Sequence, residues 1–367
     1  MINNAPMVRL GELIEIFEIR NKQGHNYPFM GVNKDKMFMP TVADTNELDN
    51  TKYKVISKDM FVFSGMQTGR DICIRLALYT GNTPILVSPA YTSFVVKDKE
   101  QIIPEFLFLY FYRYEMDRYG AFLSDGSIRS NLDWDRFCDI EIPLPNIETQ
   151  RALVAVYNGL QKTIADNEAL IRQMEEVCHA FVVDCKTKYP KVKLGEWITF
   201  YKEKNVDCKI TLEQGINISK EFITPQRSNS DLSSRLIVRK GQFAYCTQLN
   251  NENVAIAYRS GDDCAVSPVY DMFEINNDKL TPEYLFLCLR EKNFGRFVYW
   301  AATGSAYEFL QQENLCEYAI PLPPIEAQKN IASIYNCWQE SKRIVQETQE
   351  LMKNLCPALV QKAAHTA

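Results

Sequence analysis

The chain contains one internal duplication, and this limits its possible folds more than any other feature. The segment Val-Arg-Leu-Gly-Glu-Leu-Ile at residues 8–14 returns as Val-Lys-Leu-Gly-Glu-Trp-Ile at 192–198. The segment Ile-Pro-Leu-Pro-Asn-Ile-Glu-Thr-Gln at 142–150 returns as Ile-Pro-Leu-Pro-Pro-Ile-Glu-Ala-Gln at 320–328. Three further matches lie between them in the same order: 58–61 with 240–243, 87–91 with 266–270, and 104–109 with 282–287. The sequence therefore predicts one unit of roughly 180 residues that is formed twice.

Each copy begins with a region of mixed secondary structure, at residues 1–142 and 191–320. Short apolar runs separated by Gly, Asn, Asp and Pro predict strands. These runs are residues 60–64, 72–78, 91–97, 242–246, 254–259 and 270–275. Proline suits the first position of a helix, so we expect helices to begin at Pro104 and Pro282.

Each copy ends in a segment that predicts a single long helix, at residues 143–190 and 321–367. In the first of these, a series of residues from Leu153 to Cys185, apolar except for Asn167, alternates spacings of four and three, the period of a coiled-coil seam. A helix of about 40 residues cannot bury such a stripe alone, so we expect the two to pair. The predicted fold is α+β, with two pseudo-repeated mixed α/β domains joined by a long antiparallel two-helix coiled coil.

The composition indicates a globular protein without a metal site or a membrane span. Hydrophobic residues make up 46% and charged residues 24%, and the formal net charge of −5 excludes a polybasic coat but not a local positive groove. Eleven cysteines without a Cys-x-x-Cys pair, beside three histidines, favour reduced thiols and a cytoplasmic location. The uncharged stretch at 76–96 contains Gly and Pro, and the N-terminus lacks the apolar region of a signal peptide.

No sequence motif indicates catalysis by this chain. The phosphate-binding Gly-x-x-x-x-Gly-Lys-[Ser/Thr] and the dinucleotide-binding Gly-x-Gly-x-x-Gly are both missing from the sequence. Ser-Pro-Ala-Tyr at 88–91 and Ser-Pro-Val-Tyr at 267–270 loosely resemble the [Asp/Asn/Ser]-Pro-Pro-aromatic loop of N-methyltransferases. Because the second proline is missing in both copies, a turn entering a strand is the favoured interpretation. We expect no catalytic residues.

The order of these segments resembles the specificity (S) subunit of type I restriction-modification systems. The resemblance rests on the two Ile-Pro-Leu-Pro-x-Ile-Glu-x-Gln motifs, on Leu-Gly-Glu at 10–12 and 194–196, and on Gly-Ser at 126–127 and 304–305. It implies two target recognition domains, each reading one half of a split site in double-stranded DNA. It also implies that the helices set the spacing and dock two methylation subunits, with restriction/translocase subunits as further possible partners. S-adenosylmethionine would then be bound by the methylation subunit, and this chain would need no cofactor.

Candidate contacts come from polar clusters at corresponding places in the two repeats. Arg can read guanine and Asn or Gln can read adenine, whereas Lys and Arg also hold phosphates. In the first repeat the candidates are Arg20, Asn21, Lys22, Gln67, Thr68, Arg70, Arg129, Ser130 and Asn131. In the second they are Lys202, Lys204, Asn205, Arg227, Ser228, Asn229, Gln248, Asn250, Asn251 and Tyr307. Candidate partner contacts on the helices are Glu148, Arg151, Glu326 and Lys329.

Two other classes of function stay open at this point. One is a self-contained DNA adenine methyltransferase, which would require the lone chain to bind S-adenosylmethionine. The other is a coiled-coil scaffold without nucleic-acid binding, in which exchange of one repeat between two such proteins would leave DNA specificity unchanged.

Overall fold

The computed structural model describes residues 5–41, 48–225, 231–249, 254–302 and 309–364. The chain divides into two compact units, Met1–Ala165 with Val345–Ala367, and Asp166–Ile344. Each unit contains one mixed module and a part of each long helix. The division into domains at 1–142, 143–190, 191–320 and 321–367 stays a prediction of the sequence.

In its described residues, the first module has ten strands and five helices before the first long helix. Its strands are β1 (Met7–Arg9), β2 (Ile14–Ile16), β3 (Met30–Val32), β4 (Phe38–Pro40), β5 (Lys54–Ile56), β6 (Phe61–Ser64), β7 (Arg75–Leu78), β8 (Ile85–Val87), β9 (Thr92–Val96) and β10 (Glu141–Pro143). Its helices are α1 (Leu10–Leu13), α2 (Thr68–Asp71), α3 (Pro104–Phe111), α4 (Tyr114–Leu123) and α5 (Trp134–Cys138). The long helix α6 (Ile147–Lys188) follows.

The second module repeats this order. Its strands are β11 (Lys191–Lys193), β12 (Ile198–Tyr201), β13 (Gly215–Ile216), β14 (Phe222–Ile223), β15 (Leu236–Val238), β16 (Phe243–Cys246), β17 (Ile256–Tyr258), β18 (Cys264–Val266), β19 (Tyr270–Ile275) and β20 (Ala319–Pro321). Its helices are α7 (Pro282–Arg290), α8 (Lys292–Ala301) and α9 (Gln312–Cys316), and the long helix α10 (Ile325–Ala364) follows. Short 3-10 turns occupy Asn50–Lys52 and Leu194–Glu196.

The same antiparallel sheets form in both modules. A four-stranded sheet has the order β2-β9-β6-β7 in the first and β12-β19-β16-β17 in the second. The two motifs that open and close each repeat pair with each other, since Val8 lies opposite Ile142 and Val192 lies opposite Ile320. The repeated motifs therefore close each module where its long helix begins.

Each module has its own aromatic core against the four-stranded sheet. Phe61 stacks on Phe94 with 4.8 Å between ring centroids, and Phe243 stacks on Phe273 at the same distance. Helices α3 and α7 begin at Pro104 and Pro282 as predicted, where the missing N–H of proline costs no hydrogen bond.

The two long helices pack together within each unit. In the first unit, the N-terminal half of α6 meets the C-terminal half of α10, where Tyr157 and Val360 share one core cluster. In the second unit, the C-terminal half of α6 meets the N-terminal half of α10, where Cys178 and Trp338 share another. Because early residues of one helix accompany late residues of the other, the helices run antiparallel, which confirms the predicted fold class.

One predicted strand was partly wrong. Residues 72–78 were expected to be extended, but the strand begins at Arg75, because α2 occupies Thr68–Asp71 and Ile72 has left-handed backbone angles. A tertiary contact explains the difference, since the Ile74 N–H donates to the Asp117 carboxylate at 2.8 Å. Within the described residues, no helix combines the length and apolar character that a transmembrane segment needs.

Candidate nucleic-acid interface

Two loops of the first module are joined into one surface, which we call loop pair 1. It comprises residues 65–71, which follow β6, and residues 125–131, which follow α4. The Gln67 backbone N–H donates to the Asn131 side-chain oxygen at 3.2 Å. Two predicted clusters that are 64 residues apart in sequence are therefore adjacent in the fold.

Glycine permits the close approach within loop pair 1. The Leu132 N–H donates to the Gly65 carbonyl at 2.9 Å, and the Gly69 N–H donates to the Ser130 carbonyl at 3.0 Å. A Cβ added to Gly65 would lie 1.9 Å from the Leu132 carbonyl oxygen, and one on Gly69 would lie 2.2 Å from Ser130 Oγ. Larger residues at these two positions would separate the loops.

The Asp125 carboxylate organises the second half of the loop pair. It accepts the Ser127 hydroxyl at 2.6 Å and the Asn131 N–H at 2.9 Å. These hydrogen bonds, first from the Ser127 hydroxyl and then from the Asn131 backbone, lower the pKa of Asp125 below its ordinary value. The carboxylate is therefore ionised near neutral pH and holds the turn.

Three residues in or directly after loop pair 1 have left-handed backbone angles although none is glycine. The φ angles are 60° at Gln67, 48° at Ile72 and 49° at Ser130. This region is costly for a residue with a Cβ, and most of all for a β-branched one such as Ile72. Strain of this kind persists where surrounding contacts hold the backbone, which is a property of many binding sites.

The two arginines of loop pair 1 are exposed, whereas the carboxylate of the neighbouring Asp71 forms ion pairs within the module. Arg70 and Arg129 are exposed. Asp71 pairs with Arg75 at 2.5 Å and with Lys34 at 3.3 Å. The surface consequently presents two guanidinium groups to solvent, next to a carboxylate that already has two cationic partners.

The remaining predicted residues of loop pair 1 are less accessible. Thr68 is fully buried and its hydroxyl donates to the Gly65 carbonyl at 3.0 Å, so it stabilises the turn. Gln67, Ser130 and Asn131 are half-buried. These three residues belong to the same two loops as the exposed Arg70 and Arg129.

The predicted cluster at residues 20–22 lies on another segment of the first module. Asn21 is buried, its Nδ2 donates to the His25 carbonyl at 2.8 Å and its Oδ1 accepts the His25 N–H at 3.0 Å. Arg20 is exposed and pairs with Glu18 at 2.8 Å, and Lys22 is exposed. Asn21 therefore shapes a turn, and we leave it out of the interface.

The corresponding cluster of the second module has the same division of roles. Asn205 is buried, donates to the Ile210 carbonyl at 2.8 Å and accepts the Ile210 N–H at 3.2 Å. Lys202 pairs with Asp271 at 2.7 Å, and Lys204 is exposed. The buried asparagine is thus a shared structural residue of both repeats, and the exposed cations beside it differ.

The loop after β16 corresponds to the loop after β6. The Leu310 N–H donates to the Thr247 carbonyl at 2.8 Å, as Leu132 does to Gly65 in the first module. Gln248 is exposed and forms a bridge with Phe309. Six further candidates lie outside the described residues: Arg227, Ser228, Asn229, Asn250, Asn251 and Tyr307.

The candidate partner contacts are exposed near the starts of the two long helices. They are Glu148, Arg151, Glu326 and Lys329. Arg151 lies 3.7 Å from Glu100, and Lys329 lies 2.9 Å from Glu326. Such exposed pairs contribute little to stability, so these charges are available to another surface.

Sequence reasoning missed the role of the glutamine that ends each repeated motif. Gln150 and Gln328 are completely buried at the starts of α6 and α10. Gln150 Oε1 accepts the Ile103 N–H, and Gln328 Oε1 accepts the Thr281 N–H, both at 2.9 Å. Each Nε2 donates to two backbone carbonyls. The sequence feature that could have revealed this role is the recurrence of glutamine at the same position of the motif, next to the start of a predicted helix.

The Ser-Pro-x-Tyr segments and the grouping of possible metal ligands are the two features that could indicate a catalytic site. The Ser-Pro-x-Tyr segments form turns that enter β9 and β19, since Tyr91 N–H donates to the Ser88 carbonyl and Tyr270 N–H to that of Ser267. Both tyrosine hydroxyls accept a backbone N–H of the neighbouring hairpin. Among the described residues, no three His, Cys, Asp or Glu side chains are grouped so that they could hold a metal ion.

The model of one protein family, the type I restriction modification DNA specificity domain, matches residues 4–176 and again residues 186–336. The chain belongs to this family. The double match agrees with the internal duplication and confirms the resemblance to type I specificity subunits. The alternatives of a self-contained methyltransferase and of a scaffold without a nucleic-acid role are not favoured.

Two solved structures align with almost the whole of this chain. The type I restriction-modification S subunit from M. genitalium aligns with a TM-score of 0.64 and 14% identity, covering 98% of this chain and 96% of that one. The HsdS subunit from Thermoanaerobacter tengcongensis aligns with a TM-score of 0.41 and 17% identity, covering 99% and 97%. The first alignment shows that the two chains share a fold.

Proposed function

We propose that each module reads one half of a split site in double-stranded DNA, and that loop pair 1 is the reading surface of the first module. The observation that carries this proposal is the junction of residues 65–71 with 125–131. It places Arg70 and Arg129 outward on a backbone held by hydrogen bonds and close glycine contacts. Recognition of base edges requires such donors in a fixed position.

The side chains of loop pair 1 suit the major groove of DNA. A guanidinium donates to guanine O6 and N7, and an amide pairs with adenine N6 and N7. Arg70 and Arg129 supply the first chemistry, and Gln67 supplies the second, whereas the Asn131 side-chain oxygen already accepts the Gln67 N–H. Because the second module has different residues at these places, such as Tyr307 for Arg129, the two half-sites should differ and the whole site should be asymmetric.

The long helices would act as spacer and as docking surface. Their exposed charges near Glu148, Arg151, Glu326 and Lys329 are proposed contacts for two methylation subunits, with a restriction/translocase subunit as a further partner. In this assignment the chain itself is non-catalytic and acts in the cytoplasm. S-adenosylmethionine would bind to the methylation subunit.

Mapping of methylated adenines in the genome of the host tests the reading surface. Substitution of Arg70 or Arg129 by alanine should reduce methylation at the wild-type motif, or relax one base in one half-site, because a bidentate Arg contact discriminates by about 1–3 kcal/mol. Arg9, an exposed arginine on β1, provides the matched control Arg9→Ala. An unchanged motif and unchanged methylation in both loop variants would contradict the proposal.

Affinity for DNA should depend on the partners, since the chain carries a net charge of −5. We expect the lone chain to bind its target weakly and the complex with methylation subunits to bind tightly with steep salt dependence. A gel-shift titration at two salt concentrations measures this. Nanomolar, salt-insensitive binding by the lone chain would be the opposite result.

A further inference from the structure

The tip of the second loop of loop pair 1 is a β-turn with two unlike side chains. The Ser130 N–H donates to the Ser127 carbonyl at 3.0 Å, so Ile128 and Arg129 are the two central residues of the turn. Ile128 is 100% exposed and buries none of its side chain against the residues that the structure describes. Arg129 is exposed as well. An apolar group and a guanidinium therefore lie side by side at the tip of this loop.

Hydrogen bonds hold the backbone of this turn in place. The Asp125 carboxylate accepts the Ser127 N–H at 3.2 Å and the Ser127 hydroxyl at 2.6 Å, and the hydroxyl oxygen accepts the Ser130 N–H at 3.2 Å. The Gly69 N–H donates to the Ser130 carbonyl at 3.0 Å, which joins the turn to the first loop. Because the backbone is fixed before a ligand arrives, the side chains of the turn lose little conformational entropy when they bind.

Exposure alone does not mark Ile128 as functional, since single exposed apolar residues are common on protein surfaces. Ile218 is such a residue: it occupies the same position of the turn Asn217–Lys220, in the hairpin between β13 and β14, and is 61% exposed. That hairpin contacts α10 through the ion pair of Glu221 with Lys342. Ile128 differs because its neighbour in the turn is an arginine of the proposed reading surface. The two side chains would therefore meet the same ligand.

The acidic residues around the turn leave Arg129 available to an anionic ligand. The Asp125 carboxylate accepts three hydrogen bonds within its own loop, and Asp71 pairs with two cations. The exposed acid Asp133 follows the base of the loop, where the Asp125 N–H donates to the Asn131 carbonyl at 2.8 Å. Arg129 lies at the tip, beside the exposed isoleucine.

An apolar group beside a guanidinium matches two neighbouring base pairs in the major groove of DNA. Thymine presents its C5 methyl group there, and guanine presents O6 and N7, the acceptors that a guanidinium binds. Adjacent Cα atoms are about 3.8 Å apart, close to the roughly 3.4 Å between successive base pairs. Two neighbouring side chains of one turn can therefore contact two neighbouring base pairs.

We propose that Ile128 recognises the C5 methyl group of a thymine beside the guanine that Arg129 contacts, and so specifies a second base of the first half-site. This inference rests on the proposed function, because it requires that loop pair 1 enters the major groove. The second repeat has Ala306 at the corresponding sequence position, after the repeated Gly-Ser. Because alanine has a much shorter side chain, this methyl contact belongs to the first half-site.

The test uses the purified complex of full-length chain and methylation subunits. The probe is a duplex carrying the motif that the wild-type complex methylates in its host, with each thymine replaced in turn by deoxyuridine. This change removes the methyl group and keeps the hydrogen-bonding edge of the base. At one thymine next to the guanine that Arg129→Ala relaxes, it should weaken wild-type binding about 3- to 10-fold, as expected for one buried methyl group. If no thymine there shows this loss, the proposal is overturned.

The variant Ile128→Ala should weaken binding to the thymine duplex by at least the same factor. Deoxyuridine at the identified position should then have no further effect, because both changes remove one contact. Ile128→Val keeps a β-branched apolar side chain and should retain part of the sensitivity. Deoxyuridine in the other half-site should affect Ile128→Ala and the wild type equally. An Ile128→Ala complex as sensitive as the wild type at the identified position would refute the contact.

Ile218→Ala is the matched control, since it truncates an exposed isoleucine at the same turn position in the other module. It should bind the thymine and deoxyuridine duplexes as the wild type does. Co-purification of the methylation subunits is measured for every variant. If Ile128→Ala loses these subunits, the turn docks a protein and the proposal is overturned.

The arginine variants distinguish this proposal from the proposed function. If Arg70→Ala and Arg129→Ala change the methylated motif while no deoxyuridine effect depends on Ile128, the methyl contact is refuted and the reading surface stands. If neither the arginine variants nor Ile128→Ala change DNA binding or the motif, the proposed function fails as well.

Discussion

The two modules share a hairpin turn with the same backbone hydrogen bonds, but the lysine in this turn has different partners in the two modules. It joins β3 to β4 in the first module and β13 to β14 in the second. Asn33 Oδ1 accepts the N–H four residues later at 2.9 Å, and Asn217 Oδ1 does the same at 3.0 Å. Lys36 and Lys220 follow with left-handed φ angles of 61° and 65°. Duplication has therefore preserved the turn in detail.

The environment of the lysine ammonium has diverged. Lys36 pairs with Asp117 at 2.6 Å, and its side chain is almost completely buried. At the position that corresponds to Asp117 the second module has Gly295, and Lys220 instead donates to the Leu289 carbonyl at the end of α7. Burial, and secondarily the charge of Arg290, lower the pKa of Lys220 to about 8.

The hairpins also stabilise different parts of their units. In the first module, Lys34 contributes an ion pair to Asp71 and accepts the Cys73 thiol through its carbonyl, so the hairpin supports loop pair 1. In the second, Glu221 pairs with Lys342 of α10. A duplicated backbone can therefore be kept while its side-chain contacts move from loop pair 1 to a long helix.

The largest expected effect comes from breaking the Lys36–Asp117 pair. Lys36→Met leaves a buried carboxylate without its ammonium partner and should lower the free energy of unfolding of the first module by about 3–5 kcal/mol. Lys220→Met removes a desolvated cation that has no carboxylate at the Gly295 position, so it should be neutral or stabilising. Hydrogen exchange measured separately for peptides of each module reports both.

One double variant tests whether the unpaired charge causes this loss. Asp117→Asn combined with Lys36→Met should recover part of the loss, because no unpaired charge then stays buried. Equal destabilisation by Lys36→Met and Lys220→Met would show that the two lysines have the same role.

A smaller loss of stability, equal in the two modules, is expected at the buried glutamine that both modules share. Gln150→Ala and Gln328→Ala each remove three buried hydrogen bonds at the start of a long helix, which should cost about 2–3 kcal/mol. The exposed neighbour Glu148→Ala should change stability by less than about 0.5 kcal/mol. Denaturant unfolding checks this. A difference of more than about 1 kcal/mol between the two glutamines would contradict their equivalence.

The pH dependence of the free energy of unfolding tests the environment of Lys220. Between about pH 8 and its ordinary pKa of 10.5, the folded chain has lost the Lys220 proton while the unfolded chain retains it. The unfolded state then binds more protons, so the free energy of unfolding rises with pH across this window. Relative to Lys220→Met, the wild type should gain roughly 1–3 kcal/mol. Unfolding curves for the two proteins that stay parallel from pH 7 to 10.5 would refute the effect.

The smallest effect is expected at the contact between the second hairpin and α10. Lys342 pairs with Glu221 and lies 5.0 Å from the Trp338 ring, but the pair is partly exposed. Lys342→Met should therefore lower stability by less than about 1 kcal/mol. Faster hydrogen exchange confined to residues 216–222 is the expected signature, and Lys329→Met, an exposed lysine on the same helix, is the control.

The sequence alone predicted the duplicated fold, the helices that begin at Pro104 and Pro282, and the long helical seam. It could not tell which polar side chains reach solvent. Asn21 and Asn205 were candidate DNA contacts, and the structure shows both buried, with their side-chain amides hydrogen-bonded inside turns. The prediction of an extended segment through Ile72 failed for the same kind of reason, because a distant carboxylate sets the backbone there.

Local sequence patterns and contacts between distant residues account for different parts of this protein. Repeats, helical period and helix-starting prolines are local patterns, so the two modules and the paired long helices could be predicted from them. The exposure of a polar group depends on partners far along the chain, so it became visible only in the folded structure. Gln67 meets Asn131 across 64 residues and Lys36 meets Asp117 across 81, so the partners of these polar groups could not be read from the sequence around them.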